Sequence, residues 1–336
     1  MADSTVARRK GKKNMDQAQK KQERITKDEI SRSKATKTCD LVSFWDLPEY
    51  LKDNEFILSY YRADWPLKEA LFSIFRWHNE TLNVWTHLLG FLLFVVVDHG
   101  EFNASASGCG SVRLVNLCWI GSAYHLWKWM FLLATRWPFY VFLGGSMFCL
   151  LSSTICHLFC CHSHDLNIHL LRMDYVGIAT MIITSFFPPI YYIFQCEPHW
   201  QFIYLGGVTA LGMFTIVTLL SPSLSTGKFR SFRAFLFSSM ALFGLFPAAH
   251  AIFVNWNNPM RDTILAYESA MAIFYLTGTG FYVSRFPERL KPGWFDLTGH
   301  SHQIFHVFVV LGALAHYGAT LTFLEYRDQA GCGANL

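Results

Sequence analysis

Seven segments of this chain are apolar over lengths that water-soluble folds rarely contain, and that recurrence limits the fold more than any other feature. The longest cover 137–156, 175–196, 199–227 and 234–260, and none contains Asp, Glu, Lys or Arg. Shorter or interrupted runs lie at 81–97, at 263–284, where Glu268 breaks the pattern, and at 301–324. About 20 apolar residues cross the hydrocarbon core as a helix, since ~1.5 Å per residue then covers ~30 Å. Lipid offers backbone N–H and C=O groups no water, so each run must satisfy them internally. Charged residues make up 15% of the chain, against about 25% in soluble domains. The expectation is an all-α, multi-pass integral membrane protein, a bundle of seven transmembrane helices.

Basic residues orient the bundle. With the N-terminus in the cytosol, 23 Lys/Arg fall on the inner side and 5 on the outer, namely Arg113, Lys128, Arg136, Arg261 and Arg327. The long N-terminal tail inflates this ratio, but the short loops agree, so the chain reads as N-in, C-out. Residues 112–133 are apolar enough to compete as an eighth span. Counting them would place Arg172 and the basic loops at 228–233 and 285–291 outside. Arg113, His125 and Lys128 point instead to a helix lying at the outer interface. The sequon Asn103-Ala104-Ser105 then falls outside, where it can accept a glycan.

No signal peptide is read at the start of the sequence. Residues 1–38 hold 12 Lys/Arg against 5 Asp/Glu and no apolar core, so they read as a disordered basic cytosolic tail. Anionic lipid headgroups are its expected contact, and nucleic acid is not. Residues 39–79 read as a cytosolic amphipathic juxtamembrane segment. Asp64 is placed to cap a helix starting near Pro66. Leu67, Leu71, Ile74, Phe75 and His78 share one face, and Lys68, Glu69, Ser73 and Arg76 the other. Trp45, Trp65 and Trp77 are expected near the headgroups. Residues 80–326 form the heptahelical domain, and 327–336 a short extracellular tail. The nine cysteines show no framework spacing, and Cys149, Cys156, Cys160 and Cys161 read as small reduced fillers in or beside a span.

The stretch "GHSHQIFHVFVVLGALAHYG" at 299–318 puts four histidines into otherwise apolar sequence. His157 lies 20 residues past Trp137, where the second span begins, and about 30 Å of rise brings it to the inner face. The third span starts at that face with Asp174, and the seventh with His302 and, one turn deeper, His306. His302 and His306 are four apart on one helix face. An isolated intramembrane histidine is ordinarily a helix–helix hydrogen bonder. Three at one depth, from two helices and beside a carboxylate, match instead the three-histidine pattern of zinc sites with an open position. Ser153, four before His157, is placed to meet a bound water or Asp174. Gln303 stands where H-E-x-x-H enzymes carry their glutamate. Any hydrolysis would therefore use Asp174 as base on a zinc-bound water of lowered pKa. His316, His250 and Glu268 read as isolated packing groups. His162, His164 and His169 read as residents of a short cytosolic loop, where Cys160, Cys161 and His162 offer an adventitious metal site.

"LPEYLKDNEFILSYYR", "RWHNETLNVWTHLLGF", "HLFCCHS", "RMDYVGIA" and "GHSHQIFHVFVV" together resemble the adiponectin-receptor (PAQR) family. Its plant heptahelical branch is the best match, and the resemblance runs from about Leu47 to Arg327. It implies seven helices, N-in and C-out, with zinc near the inner leaflet. The implied ligands are His157, His302 and His306, with Asp174 linked through water and Ser153 in the family's S-x-x-x-H motif. It also implies a receptor or sensor for a lipid or hormone-like ligand, at the plasma membrane or in the ER or Golgi, within hormone, sugar or abiotic-stress signalling. A ceramidase-like lipid amide hydrolase, with Asp174 and Ser153 as its catalytic residues, is the alternative. A transporter is the weaker one, since no inverted repeat is evident. Gly278 and Gly280 leave open close helix contacts within the bundle or between copies in a homo-oligomer.

Overall fold

The computed structural model describes residues 39–107, 120–221, 224, 227–256 and 258–330, without the side chains of 98–135 and 326–330. The basic tail, most of the C-terminal tail, residues 112–119 of the expected interfacial helix and the side chains of the sequon lie outside this set. Among the described residues, ten α-helices form and the only strand-like pairing is one bridge, Val42 with Tyr61. The helices are α1 (Leu67–Phe72), α2 (Thr81–Ser107), α3 (Ile120–Phe159), α4 (His164–Ser185) and α5 (Phe187–Ile193). They continue as α6 (Pro198–Leu219), α7 (Arg230–Phe243), α8 (Leu245–Val254), α9 (Arg261–Ser284) and α10 (Ser301–Ala330).

Five helical stretches are long and apolar enough to cross a membrane: Arg136–Phe159, His164–Ile193, Pro198–Leu219, Arg230–Val254 and Ser301–Glu325. Thr81–Val97 is apolar but shorter. The 24 residues of α9 are long enough, but Arg261, Asp262 and Glu268 make it more polar. Two crossings are broken where proline chemistry requires it. Proline lacks an N–H and its ring collides with the carbonyl four residues back. Pro188 and Pro189 accordingly follow the end of α4 at Ser185, and Pro247 sits four past the last residue of α7, Phe243. Residues 120–133 are not a separate interfacial helix. They continue through Pro138 into the 40 residues of α3, a length of about 60 Å if straight.

Where helices meet, side chains are small. At Gly177 of α4, an added Cβ would come within 3.1 Å of the Cys149 backbone and collide with Ser152, so α3 and α4 pack at close range. Gly278 faces Phe305 and Phe308 of α10, whereas a Cβ on Gly280 would enter open space. The first is therefore a contact within the bundle. Phe94, Phe139, Phe142, Leu150, Ala313 and Phe323 form the largest buried cluster, between α2, α3 and α10. Facing outward, Phe202 and Phe253 are 80% and 82% exposed, a surface suited to lipid and costly in water.

The juxtamembrane segment departs from its sequence pattern. Pro66 is the N-cap of α1, with no side-chain cap, and Asp64 adopts a left-handed backbone. The α-helix stops at Phe72, a 3-10 turn follows over Ser73–Phe75, and Arg76 is extended. Leu67, Leu71, Phe72 and Phe75 are exposed, as are Trp45 and Trp77, whereas Ala70, Ser73 and Trp65 are buried. His78 leaves the apolar face altogether. Its backbone N–H donates to the Thr81 hydroxyl at 2.9 Å, which in turn donates to the Arg76 carbonyl at 2.9 Å. Forming this cap on α2 turns the chain inward and buries the imidazole.

Candidate metal centre

At one end of the bundle, the C-terminal turn of α3 meets the first turns of α2 and α10. His157 comes from α3, two residues before its end, and His302 and His306 come from α10. One nitrogen of each ring lies within 4.8 Å of the other two. His157 Nε2 and His302 Nε2 are 3.3 Å apart. A tetrahedral zinc ion ~2.0–2.1 Å from each nitrogen places its ligands ~3.4 Å apart.

The outer nitrogens of His157 and His306 are held at the start of α2, by Glu80 just before the helix and by Asn83 in its first turn, an element whose role sequence reasoning missed. His157 Nδ1 lies 2.8 Å from a Glu80 carboxylate oxygen, and His306 Nδ1 lies 3.2 Å from the Asn83 carbonyl. Each contact assigns the proton to Nδ1 and leaves the Nε2 lone pair free. Two inward lone pairs repel unless a cation lies between them, so the trio fits a metal ion. Asn83 also donates its side-chain amide to Glu80 at 2.6 Å. His87 stacks on His306 at 3.7 Å and 7° between ring planes, and among the described residues neither of its nitrogens has a hydrogen-bond partner. Glu80, Asn83 and His87 all stand in the quoted "RWHNETLNVWTHLLGF". The signal was present, but only the packing of α2 against α3 and α10 gives it a target.

Asp174 lies in α4, which begins at His164 with Ser163 as its N-cap. It is therefore about 15 Å into the helix rather than at its start. It is buried, accepts the Ser153 hydroxyl and stays outside the three-histidine set. His169, read as a loop residue, is helical, and its ring bonds the Asp165 carbonyl at 2.7 Å. His162 bonds the Trp65 carbonyl at 2.8 Å. With Cys160 and Cys161 it forms no metal-holding group among the described residues.

The other histidines of 299–318 are accounted for separately. His300 Nε2 meets the Asn79 carbonyl at 3.2 Å, and burial pushes its pKa down. Gln303 donates to the same carbonyl at 3.2 Å and to Leu297 at 3.0 Å, and it accepts from the Gly299 N–H at 2.7 Å. It staples the loop leading into α10. His316 and Glu268 are not isolated but face each other at 3.0 Å between α10 and α9, off hydrogen-bond alignment. His250 pairs with the Tyr204 hydroxyl at 2.9 Å, as a packing group does. Cys149, Cys156 and Cys160 are free thiols. Cys196, beyond α5 at the opposite end of the crossing, is disulfide-bonded.

Known proteins share this arrangement of sequence. The haemolysin-III-related family profile matches residues 75–317. The chain is 60% identical to heptahelical transmembrane protein 1 of Arabidopsis thaliana, over 89% of this chain and 86% of that protein. It is 50% identical to heptahelical transmembrane protein ADIPOR1 of Oryza sativa subsp. japonica, over 89% and 88% respectively. It is 35% identical to the adiponectin receptor protein of Drosophila melanogaster, over 84% of this chain and 59% of that protein.

Proposed function

The chain belongs to the haemolysin-III-related family and is similar to plant heptahelical transmembrane proteins and to an adiponectin receptor protein, and from that premise we propose that it is a zinc-containing heptahelical membrane receptor or sensor. The observation that carries this reading is the imidazole trio joining α3 to α10, with the outer nitrogens of His157 and His306 held by Glu80 and Asn83 at the start of α2. Three neutral nitrogens without a thiolate in the set suit zinc. His157, His302 and His306 would hold the ion, and zinc bound there supplies Lewis acidity and a cross-link between helices. Ser153 and Asp174 form a buried polar pair beside it.

Seven crossings follow if α2 and α9 span with the five longer stretches, and the polypeptide then runs N-in and C-out. Basic residues support that orientation, and so does redox chemistry. The free thiol of Cys160 shares the end of the metal centre, while the disulfide of Cys196 lies at the other, as expected for a reducing cytosol and an oxidising exterior. The tail of 1–38 would then contact anionic headgroups, 39–79 would lie under the membrane, and 327–336 would be extracellular. We place the protein in the plasma membrane, responding to a lipid or hormone-like ligand in hormone, sugar or stress signalling.

Elemental analysis of purified protein tests the core of this reading. Stoichiometric zinc in the wild type and none in His302→Ala/His306→Ala is expected, and a well-folded wild type without zinc would refute it. Asp174→Asn leaves the trio intact and should signal almost normally. Lost signalling with zinc retained would favour the hydrolytic reading instead.

A further inference from the structure

The two helices that carry the histidine trio stand apart at the backbone, with α2 packed against both, and meet through side chains such as Phe142 and His316. Their relative position nevertheless has to be fixed to a fraction of an ångström for three nitrogens to share one ion. A short irregular stretch of the juxtamembrane segment holds both. At its C-terminal end, the buried Arg62 guanidinium donates to the backbone carbonyls of His157 at 2.7 Å and Leu158 at 2.9 Å. These are orphan carbonyls in the last turn of α3. At its N-terminal end, the Asn54 amide donates to Glu288 at 3.1 Å. Glu288, 0% exposed, accepts the Ser301 backbone N–H at 2.8 Å and the Ser301 hydroxyl. Ser301 opens α10 and immediately precedes His302. Between these anchors, the Leu58 N–H donates to Asp296 at 2.9 Å, and the Gly293 N–H to the Phe56 carbonyl at 3.1 Å.

We propose that residues 54–62 act as a clasp that sets the spacing of the metal ligands, with Arg62, Asn54 and Glu288 as positioning residues, so that metal occupancy and order in this cytosolic segment are coupled. The inference rests on the metal reading and adds a route by which the site is felt outside the membrane. Each anchor grips the backbone beside a ligand rather than its ring. The clasp therefore controls where a ligand stands and leaves its donor chemistry to Glu80 and Asn83. Coupling of this kind is reciprocal: a clasp that raises metal affinity by some factor is itself stabilised by metal by the same factor. Ordering residues 54–62 would then be a consequence of filling the site, and a partner that displaced the segment would weaken metal binding.

The Asn54–Glu288 contact allows a test that changes no ligand. Asn54→Asp keeps the acceptor for the Phe56 N–H, which now bonds Asn54 at 3.2 Å, but sets a carboxylate against the Glu288 carboxylate. Adding Glu288→Gln exchanges amide and carboxylate across the contact, so Gln can accept from the Ser301 N–H and donate to Asp. Zinc affinity is read by chelator competition on the full chain in lipid nanodiscs. Loss of about 10–100-fold is expected for Asn54→Asp, the range for residues that orient metal ligands, with recovery in the double variant. An unchanged Asn54→Asp, or a double variant no better than the single, would overturn the clasp. Hydrogen exchange on the wild type decides independently of how the variants fold. Zinc should slow exchange of the 54–62 amides relative to chelated protein, and identical exchange would overturn the coupling. Zinc content of the wild type separates the two failures, because a wild type that binds none refutes the metal reading itself.

Discussion

Replacing Glu80 with glutamine asks how much of the metal affinity proposed for the histidine trio comes from outside it. In the wild type, His157 Nδ1–H points at a carboxylate 2.8 Å away that also accepts from Asn83 at 2.6 Å. A hydrogen bond to a charged acceptor contributes about 1.5–3 kcal/mol, against about 0.5–1.5 for a neutral one. Glu80→Gln keeps an acceptor and loses the charge, so the expected cost is about 1–1.5 kcal/mol, or roughly tenfold in zinc affinity at ~1.4 kcal/mol per decade. Glu80→Ala leaves both donors without their partner. That adds about 1–2 kcal/mol for unsatisfied buried groups and brings the loss towards ~100-fold, the upper end for groups that orient a metal ligand. Chelator competition on protein in nanodiscs measures both variants, with melting of the metal-free protein as the control for general damage. The order wild type, Gln, Ala in falling affinity is required. Glu80→Ala binding zinc as tightly as wild type would show that the carboxylate does not orient His157, and the reasoning would fall.

His87→Ala removes the ring stacked on His306 at 3.7 Å and should weaken zinc binding, while His87→Phe, which keeps a flat ring, should retain most of it; equal losses in the two would refute the stacking role. Replacing Glu268 with Gln at its 3.0 Å contact with His316 should cost about 1–3 kcal/mol, the range for a buried polar group left without its partner. Thermal melting checks this, and the apolar double replacement Glu268→Leu/His316→Phe should come closer to wild type than the single variant does. Burial, reinforced by Arg62, pushes the His78 pKa down to about 3. Between about pH 6.5 and 3 the unfolded chain therefore binds a proton that the folded one refuses, and stability falls as pH drops through that window. The melting temperature of metal-free His78→Gln should decline less steeply from pH 7 to 4 than that of wild type.

The membrane class, the long apolar helices and the histidine cluster were legible in the sequence because each follows from a local rule. A long uncharged run must be a helix in lipid, and histidines four apart share a helix face. Counting 1.5 Å per residue from Trp137 brings His157 to the depth of His302, as the structure finds. The same counting set Asp174 at the start of its helix, whereas α4 starts ten residues before it. It also drew one amphipathic helix through residues 64–78, where Ser73, Trp65 and His78 are in fact buried. Periodicity reports which residues share a face, but not what that face meets. Partnership is a property of contacts between segments distant in sequence, and only tertiary packing decides it. Glu80 meets His157 across 77 residues, Asn54 meets Glu288 across 234 and Glu268 finds His316 on the next helix. A charge or an amide buried near lipid needs a partner, so the sequence announced that these groups would be satisfied, and the fold chose by which.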